Sequence, residues 1–480
     1  MNRIAVALIA LTTLSVGVAA RAQDGRSVWE GVYTSAQAER GAAAYAQACA
    51  MCHGAQLAGT GEAKALAGPE FLSNWNGLTM GDLFERTRTT MPLDKPGSLS
   101  REAYADALAY ILKFNSFPTG ERELASRPEM LAGIRIDAFK PTAAQSATDA
   151  VADAADAHAD HGPNGAPNPY VADAGFFKLP PGRTMGSTSG GAVDSRGHVW
   201  VADRCGANSC TGSLLNPIME FDREGRFVKA FGAGMFNFPH GFFIDARDHV
   251  WLTDNRVANG KGAQVFEFDR NGKLLRALGK AGVSSEGPDT FFEPNGVAVA
   301  RDGTIFVADG HSAGKGAHRI VKLDAQGRFL KQWGARGSGP DQLEVPHGLA
   351  LDDQGRIYVA DRWNDRVQVF DSEGKLLESW KQFGRPSGVF AGSDGQLYVA
   401  DSESREPPGY GYHPGWKRGV RIGDAKTGKV TAFIPDTAPD PDKQSTSGPE
   451  GIWVDAAGRI YGAQVFQKSV LRFTKARKAP

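Results

Sequence analysis

The sequence is poor in cysteine, with four in 480 residues, which excludes a disulfide-dense small scaffold and leaves each cysteine to be explained individually. It has no charge bias. Fifty-four basic residues balance fifty-four acidic ones, so nothing points to nucleic acid or an anionic lipid surface as partner. It also lacks long apolar runs apart from Ile4 to Ala19. That run follows Asn2-Arg3 and precedes Ala20-Arg21-Ala22, and it is short for a bilayer span. It reads as a secretory signal over residues 1–22, cleaved before Gln23, which predicts a periplasmic protein with no membrane span in the mature chain. Finally, Thr142 to Pro169 is rich in Ala, Asp and Pro and has hardly any large apolar side chain, so it cannot bury enough surface to offset its ordering entropy. It reads as a linker, and His158 and His161 among its aspartates are solvated spacer residues rather than a metal site.

What is present first is Cys49-Ala50-Met51-Cys52-His53. Two cysteines three apart, followed at once by histidine, allow two thioether bonds to haem vinyl groups while the imidazole takes one axial position on iron. A surface cysteine pair or half a zinc site is the competing reading, and the flanks argue against it. Ala36 to Ala48 has small and apolar residues at helical spacing, and Tyr104 to Phe114 repeats apolar residues every three to four positions. Between them, Met91 in the Pro-flanked loop Thr90-Met91-Pro92 is the expected sixth ligand, with Met80 as rival. Met51 lies inside the attachment loop and cannot reach the other face of the haem. Residues 30–118 resemble a class I c-type cytochrome, which implies an all-α domain carrying covalent haem c for electron transfer.

Residues 119–169 form a connector followed by the linker, and from Tyr170 to 476 the chain repeats itself. Pro346-His347-Gly348 and the strand after it compare with Pro239-His240-Gly241 and Pro294-Asn295-Gly296. The leading glycines are Gly190, Gly241, Gly296, Gly348, Gly388 and Gly451, giving six copies of about four strands each. Such sheets cannot bury both faces alone and close radially. The unit resembles the NHL repeat, which implies an all-β six-bladed propeller and leaves function open.

Equivalent positions in different blades carry the functional argument. Ser189, His240, Asn295, His347, Ser387 and Glu450 precede the leading glycines and should ring the axial channel. His240, Asn295, His347 and Glu450 are the expected ligands of a divalent metal, zinc or calcium before iron or copper. A second ring follows the strand ending in Ala-Asp or Thr-Asp: Arg204, Asn255, Gly310 with His311, Arg362 and Ser402. Arg204 and Arg362 are expected to orient an oxyanion of the substrate and His311 to act as acid or base, with structural pairing to Asp203 and Asp361 as the alternative for the arginines. Cys205 and Cys210 are spaced for a small-loop disulfide, with a metal or redox role as the alternative.

The propeller is similar to the peptidyl-hydroxyglycine amidating lyases, which implies zinc held by three histidines with arginines and a tyrosine nearby. His240 and His347 match two histidines and Arg204 and Arg362 the arginines. Glu450 stands at the third histidine, and His311 lies near the tyrosine. Such a lyase needs no electrons, so the fused haem favours a redox enzyme that takes a small substrate on the propeller and exchanges electrons with a periplasmic partner protein. A metal-dependent lyase or hydrolase, and a non-enzymatic carrier with a protein-binding propeller, are the alternatives.

Overall fold

The computed structural model describes residues 26–59, 63–75, 78–131, 133–137, 140, 163–314, 316–407, 410–444 and 446–476. The signal segment, His158 and His161 lie outside the described residues, among which no helix is long and apolar enough to cross a membrane.

The N-terminal domain is helical: α1 (Ser35–Ala48), α2 (Ala50–His53), α3 (Gly68–Trp75), α4 (Met80–Thr90) and α5 (Arg101–Phe114). Thr34, Thr79 and Ser100 cap α1, α4 and α5 by accepting a backbone N–H three residues on, satisfying donors that a helix start leaves orphaned. The crossing of α1 on α5 depends on Gly41, where a Cβ would stand 1.8 Å from the Asp106 carbonyl oxygen. Tyr45 then packs on Tyr110, ring centroids 5.3 Å apart. The connector completes this domain. Its Leu124, Leu131, Ile134 and Ile136 are buried in the helical core, and Ile134–Arg135 pairs in parallel with Arg26–Ser27.

Six four-stranded antiparallel sheets follow, blades I to VI. Their first strands are Thr188–Val193, Pro239–Ile244, Pro294–Val299, Pro346–Leu351, Pro386–Ala391 and Gly451–Val454. In five blades the strand order is the chain order. Blade VI takes its fourth strand, Tyr170–Asp173, from the other end of the propeller, pairing it antiparallel with Ser469–Lys475 and closing the ring. The stretch just before that strand is docked as well: the Pro167 carbonyl accepts from Phe433 N, and Asn164 accepts from Lys417 N at 2.8 Å.

Two features of the repeat fix the axis. The leading glycines allow neighbouring first strands to touch, since a Cβ on Gly241 would lie 2.3 Å from the Asn295 carbonyl oxygen, and one on Gly451 2.2 Å from that of Ser189. The aspartates ending the second strands, Asp203, Asp254, Asp309, Asp361 and Asp401, are fully buried. Each accepts backbone N–H groups from the segment leading into its own blade: Gly186, Asn237 with Phe238, Phe292 with Glu293, Glu344, and Arg385. In blade VI Gln464 replaces the aspartate, and Glu450 N is held instead by the Ala463 carbonyl at 2.7 Å. Blade faces pack through clusters such as Trp251, Val265, Phe291, Val297, Val307 and Val321 between blades II and III.

Asp361 also receives Arg366 Nε at 2.7 Å and Gln368 Nε2 at 3.0 Å. Removing it strands a buried guanidinium, which costs about 3–5 kcal/mol. Asp361→Ala should lower the urea unfolding midpoint of the propeller accordingly, followed by tryptophan fluorescence; a midpoint equal to that of the wild type would show that the aspartate does not hold the blade.

Candidate metal centre and haem attachment site

All six side chains preceding the leading glycines are buried and line a narrow axial cavity. His240 Nδ1 lies 2.9 Å from the Asn295 carbonyl oxygen, and His347 Nδ1 lies 2.9 Å from that of Ser387. A carbonyl can only accept, so each ring carries its proton on Nδ1 and presents the lone pair of Nε2. Both Nε2 atoms are buried without a hydrogen-bond partner. Glu450 Oε1 stands 3.5 Å from His240 Nε2 and 3.3 Å from His347 Nε2. These contacts are not hydrogen bonds in that tautomer, because three electron pairs converge with no proton between them.

Protonation states agree. Burial pushes His240 down to about 4, Arg204 and His347 adding to the shift against Glu450; burial lowers His347 as well. Burial alone would raise Glu450, and the positive charge of Arg204 opposes that and favours the ionised carboxylate. Neutral imidazoles facing a charged carboxylate form the donor set a divalent cation takes. Ligand atoms about 2 Å from a common tetrahedral centre lie about 3.3 Å apart, which these separations match.

A further neutral donor, His311, stands beside these three. The ligand atoms of His240, His311, His347 and Glu450 all lie within 4.8 Å of one another. The His311 ring sits 5.0 Å from that of His240 and 5.2 Å from that of His347, half-buried and held neutral by burial and by those two rings. The Asn295 amide is engaged at both ends, donating to the Pro346 carbonyl at 3.1 Å and accepting from Asn255 at 2.6 Å.

Neither ring arginine pairs with the repeat aspartate beside it. Arg204 donates to Ser189 Oγ, Asn208 Oδ1 and the Pro239 carbonyl, and lies 3.7 Å over the Phe238 ring. Burial brings it down to about 10. Cys205 and Cys210 form the expected disulfide, which closes the loop bearing Asn208. Arg362 pairs with Glu403 at 3.0 Å, and its Nε is buried without a partner. Ser402 and Ser387 hydrogen-bond each other at 2.8 Å.

Sequence reasoning missed the groups behind Arg362: Glu403, which also binds Arg385 and accepts from Tyr410 at 2.5 Å. Glu403 and Tyr410 belong to the long segment between the second and third strands of blade V, and its length was the available signal. Two further clusters, Asp194 with His198 and Glu220, and Asp245 with His249 and Glu267, resemble metal sites. Arg196 and Lys229 occupy the first and Arg247 and Arg276 the second, so the positive charge is already supplied.

In the helical domain, Cys49 caps α2 and Cys52 lies within it, and His53 is nearly buried with Nδ1 on the Lys64 carbonyl at 2.7 Å. These residues fit covalent haem: the fixed tautomer leaves Nε2 for iron. Met80 is fully buried among Leu83 and Phe84, whereas Met91 begins the loop after α4, its carbonyl accepting from Tyr104 at 2.6 Å.

Met91→Ala should abolish the low-spin six-coordinate absorption of the haem-loaded protein; an unchanged spectrum transfers the ligand role to Met80. The double variant His240→Ala, His347→Ala should lose the non-haem divalent cation, read by elemental analysis, while its circular dichroism stays that of a propeller. Retained metal would place the cation elsewhere.

Comparison with known proteins agrees with this division. Residues 36–111 match the family described as cytochrome c oxidase, cbb3-type, subunit III, and residues 343–370 match the NHL repeat. The chain is 36% identical over 210 residues to a probable peptidyl-α-hydroxyglycine α-amidating lyase of Caenorhabditis elegans, covering 40% of this chain and 57% of that protein. It is 33% identical to NHL repeat-containing protein 3 of Homo sapiens, covering 48% and 66%. With peptidylglycine α-amidating monooxygenase of Rattus norvegicus it shares 30% identity, covering 48% and 26%. The chain thus spans between about a quarter and two thirds of these relatives. It is a cytochrome c domain followed by an NHL-repeat six-bladed propeller that resembles the peptidyl-α-hydroxyglycine amidating lyases.

Proposed function

We propose that the propeller is a metal-dependent lyase acting on an N-acyl-α-hydroxyglycine, and that the haem domain of the same exported chain passes electrons to a periplasmic redox partner. The observation that carries the lyase reading is the convergence of His240 Nε2, His347 Nε2 and Glu450 Oε1 with no proton among them. Imidazole nitrogens favour zinc over calcium, and three protein ligands leave a position open for substrate. Zinc bound there supplies a Lewis acid that lowers the pKa of a hydroxyl brought against it.

The remaining work falls to the chain. Arg204 and the unpaired Nε of Arg362 orient the substrate carboxylate. His311, neutral and the most open of the four donors, takes the hydroxyl proton and returns it to the departing nitrogen. The hydroxyl oxygen forms a carbonyl as the carbon–nitrogen bond breaks, its electron pair leaving on nitrogen. An acyl amide and an aldehyde acid result, with no change in oxidation state.

A second reading is favoured by the haem attachment motif alone: an oxidoreductase whose axial site holds iron or copper. Elemental analysis and product release separate the two. The haem-loaded, zinc-reconstituted chain should release aldehyde from N-benzoyl-α-hydroxyglycine, and His311→Ala should lower kcat about 10²- to 10⁴-fold with zinc content unchanged. Stoichiometric zinc without aldehyde release sinks the lyase reading, and copper or iron beyond the haem equivalent supports the redox enzyme.

A further inference from the structure

Among the residues that follow the repeat aspartates, one acceptor is left over. Asn255 is 1% exposed, and its Oδ1 is buried with no hydrogen-bond partner. Its orientation is dictated by a chain of bonds rather than by choice. The Pro346 carbonyl has only lone pairs to offer, so the Asn295 atom 3.1 Å from it is the nitrogen, Nδ2. Asn295 Oδ1 therefore turns to Asn255, and the Asn255 atom 2.6 Å away must be its own nitrogen. Turning the Asn255 amide over would set oxygen against oxygen. Its Oδ1 is thus fixed as the orphan acceptor, beside the residue whose backbone carbonyl holds His240 Nδ1.

The equivalent positions of other blades are occupied. Arg204 donates to Ser189 and Asn208, Ser402 bonds Ser387, and His311 faces the metal cluster. Arg362 engages Glu403 but keeps its Nε as an orphan donor. The ring that follows the repeat aspartates therefore leaves one unsatisfied acceptor on blade II, tied to the axial ring through Asn295, and one unsatisfied donor on blade IV. A buried polar atom left without a partner is costly, and such atoms are ordinarily matched by whatever fills the cavity.

We propose that Asn255 is a substrate-specificity residue: its Oδ1 accepts a hydrogen bond from an O–H or N–H carried by the ligand next to the group that meets the cation. The assignment rests on the reading that the axial site takes a small ligand beside a metal, and it is independent of whether that ligand is then cleaved. It selects ligands that bear a donor one or two bonds from their anionic end, and it discriminates against isosteres in which that donor is an acceptor only, because the Asn255 acceptor then stays unpaired.

The test uses the haem-loaded, zinc-reconstituted full chain and two probes of nearly equal size, glycolate and fluoroacetate. The hydroxyl of the first donates, and the fluorine of the second does not. Calorimetry on the wild type and on Asn255→Leu yields a double-mutant cycle in which chelation by the glycolate oxygen cancels. The preference for glycolate should fall about tenfold in the variant while fluoroacetate affinity stays within about twofold, tenfold being the 1.4 kcal/mol expected of one hydrogen bond. Should Asn255→Leu lose zinc or strand content, Asn255→Ala, which leaves room for water to satisfy Asn295, replaces it in the cycle. An equal preference in wild type and variant overturns the proposal and assigns a buried water to Oδ1. Failure of the wild type to bind either probe overturns it too. A tenfold change without aldehyde release from N-benzoyl-α-hydroxyglycine keeps Asn255 in its role and removes the lyase.

Discussion

A buried aspartate that closes on the backbone leading into its own blade is the interaction on which the axial site depends. Asp203, Asp254, Asp309, Asp361 and Asp401 each end a second strand, and the N–H groups they accept stand two or three residues before the side chain that faces the axis. Ordinary sheet pairing sets the strands, but it does not set where Ser189, His240, Asn295, His347 and Ser387 sit along the channel. The carboxylates do. The arrangement is costly to maintain: burial raises Asp254 and Asp309 to about 6 despite their backbone donors, and Asp309 also needs Arg319 at 3.0 Å. Blade VI departs from the rule. Gln464 stands where the aspartate belongs, and that blade's carboxylate, Glu450, lies at the axis instead.

This displacement shapes the electrostatics of the centre. One negative charge lies fully enclosed between two lone pairs, with Arg204 near enough to lower its pKa and Arg362 neutralised by Glu403. An isolated buried carboxylate is expensive, and histidines that are kept neutral cannot compensate it. A divalent cation satisfies the carboxylate and both nitrogens together, which is why the site accommodates a metal better than it accommodates being empty. The two Asp-His-Glu clusters on blades I and II show the contrast, since arginines and a lysine already lie among their oxygens.

Much of this was legible in the chain because the repeat has a register. Pro-His-Gly at 239–241 and 346–348 places two imidazoles at the same height in different blades, and Cys49 to His53 names its cofactor by spacing alone. What escaped has physical reasons. In blade III the aspartate is followed by Gly310, at φ +134°, before His311. The histidine is thus one residue out of register with Arg204 and Arg362, and its place beside the ligands depends on a backbone turn. The Asn295 amide bonds Pro346 and Asn255, links between blades that no spacing reveals. The connector shows no periodicity, yet Leu124, Leu131, Ile134 and Ile136 fill the helical core, paired with a segment more than a hundred residues earlier.

The haem ligand and the two axial histidines of the propeller share one solution: Nδ1 rests on a backbone carbonyl and Nε2 is freed for metal. They differ in where that carbonyl comes from. For His53 it is Lys64, eleven residues along the same chain segment, so the imidazole is oriented by a local loop. For His240 and His347 it is supplied by the next blade, Asn295 and Ser387, and the neighbouring blades are held in contact by glycines too crowded to bear a side chain. The orientation of those rings therefore requires the closed propeller, including the strand Tyr170–Asp173 that completes blade VI. The helical domain needs only its own loop to present His53 to iron, whereas the axial centre exists only once six blades have met.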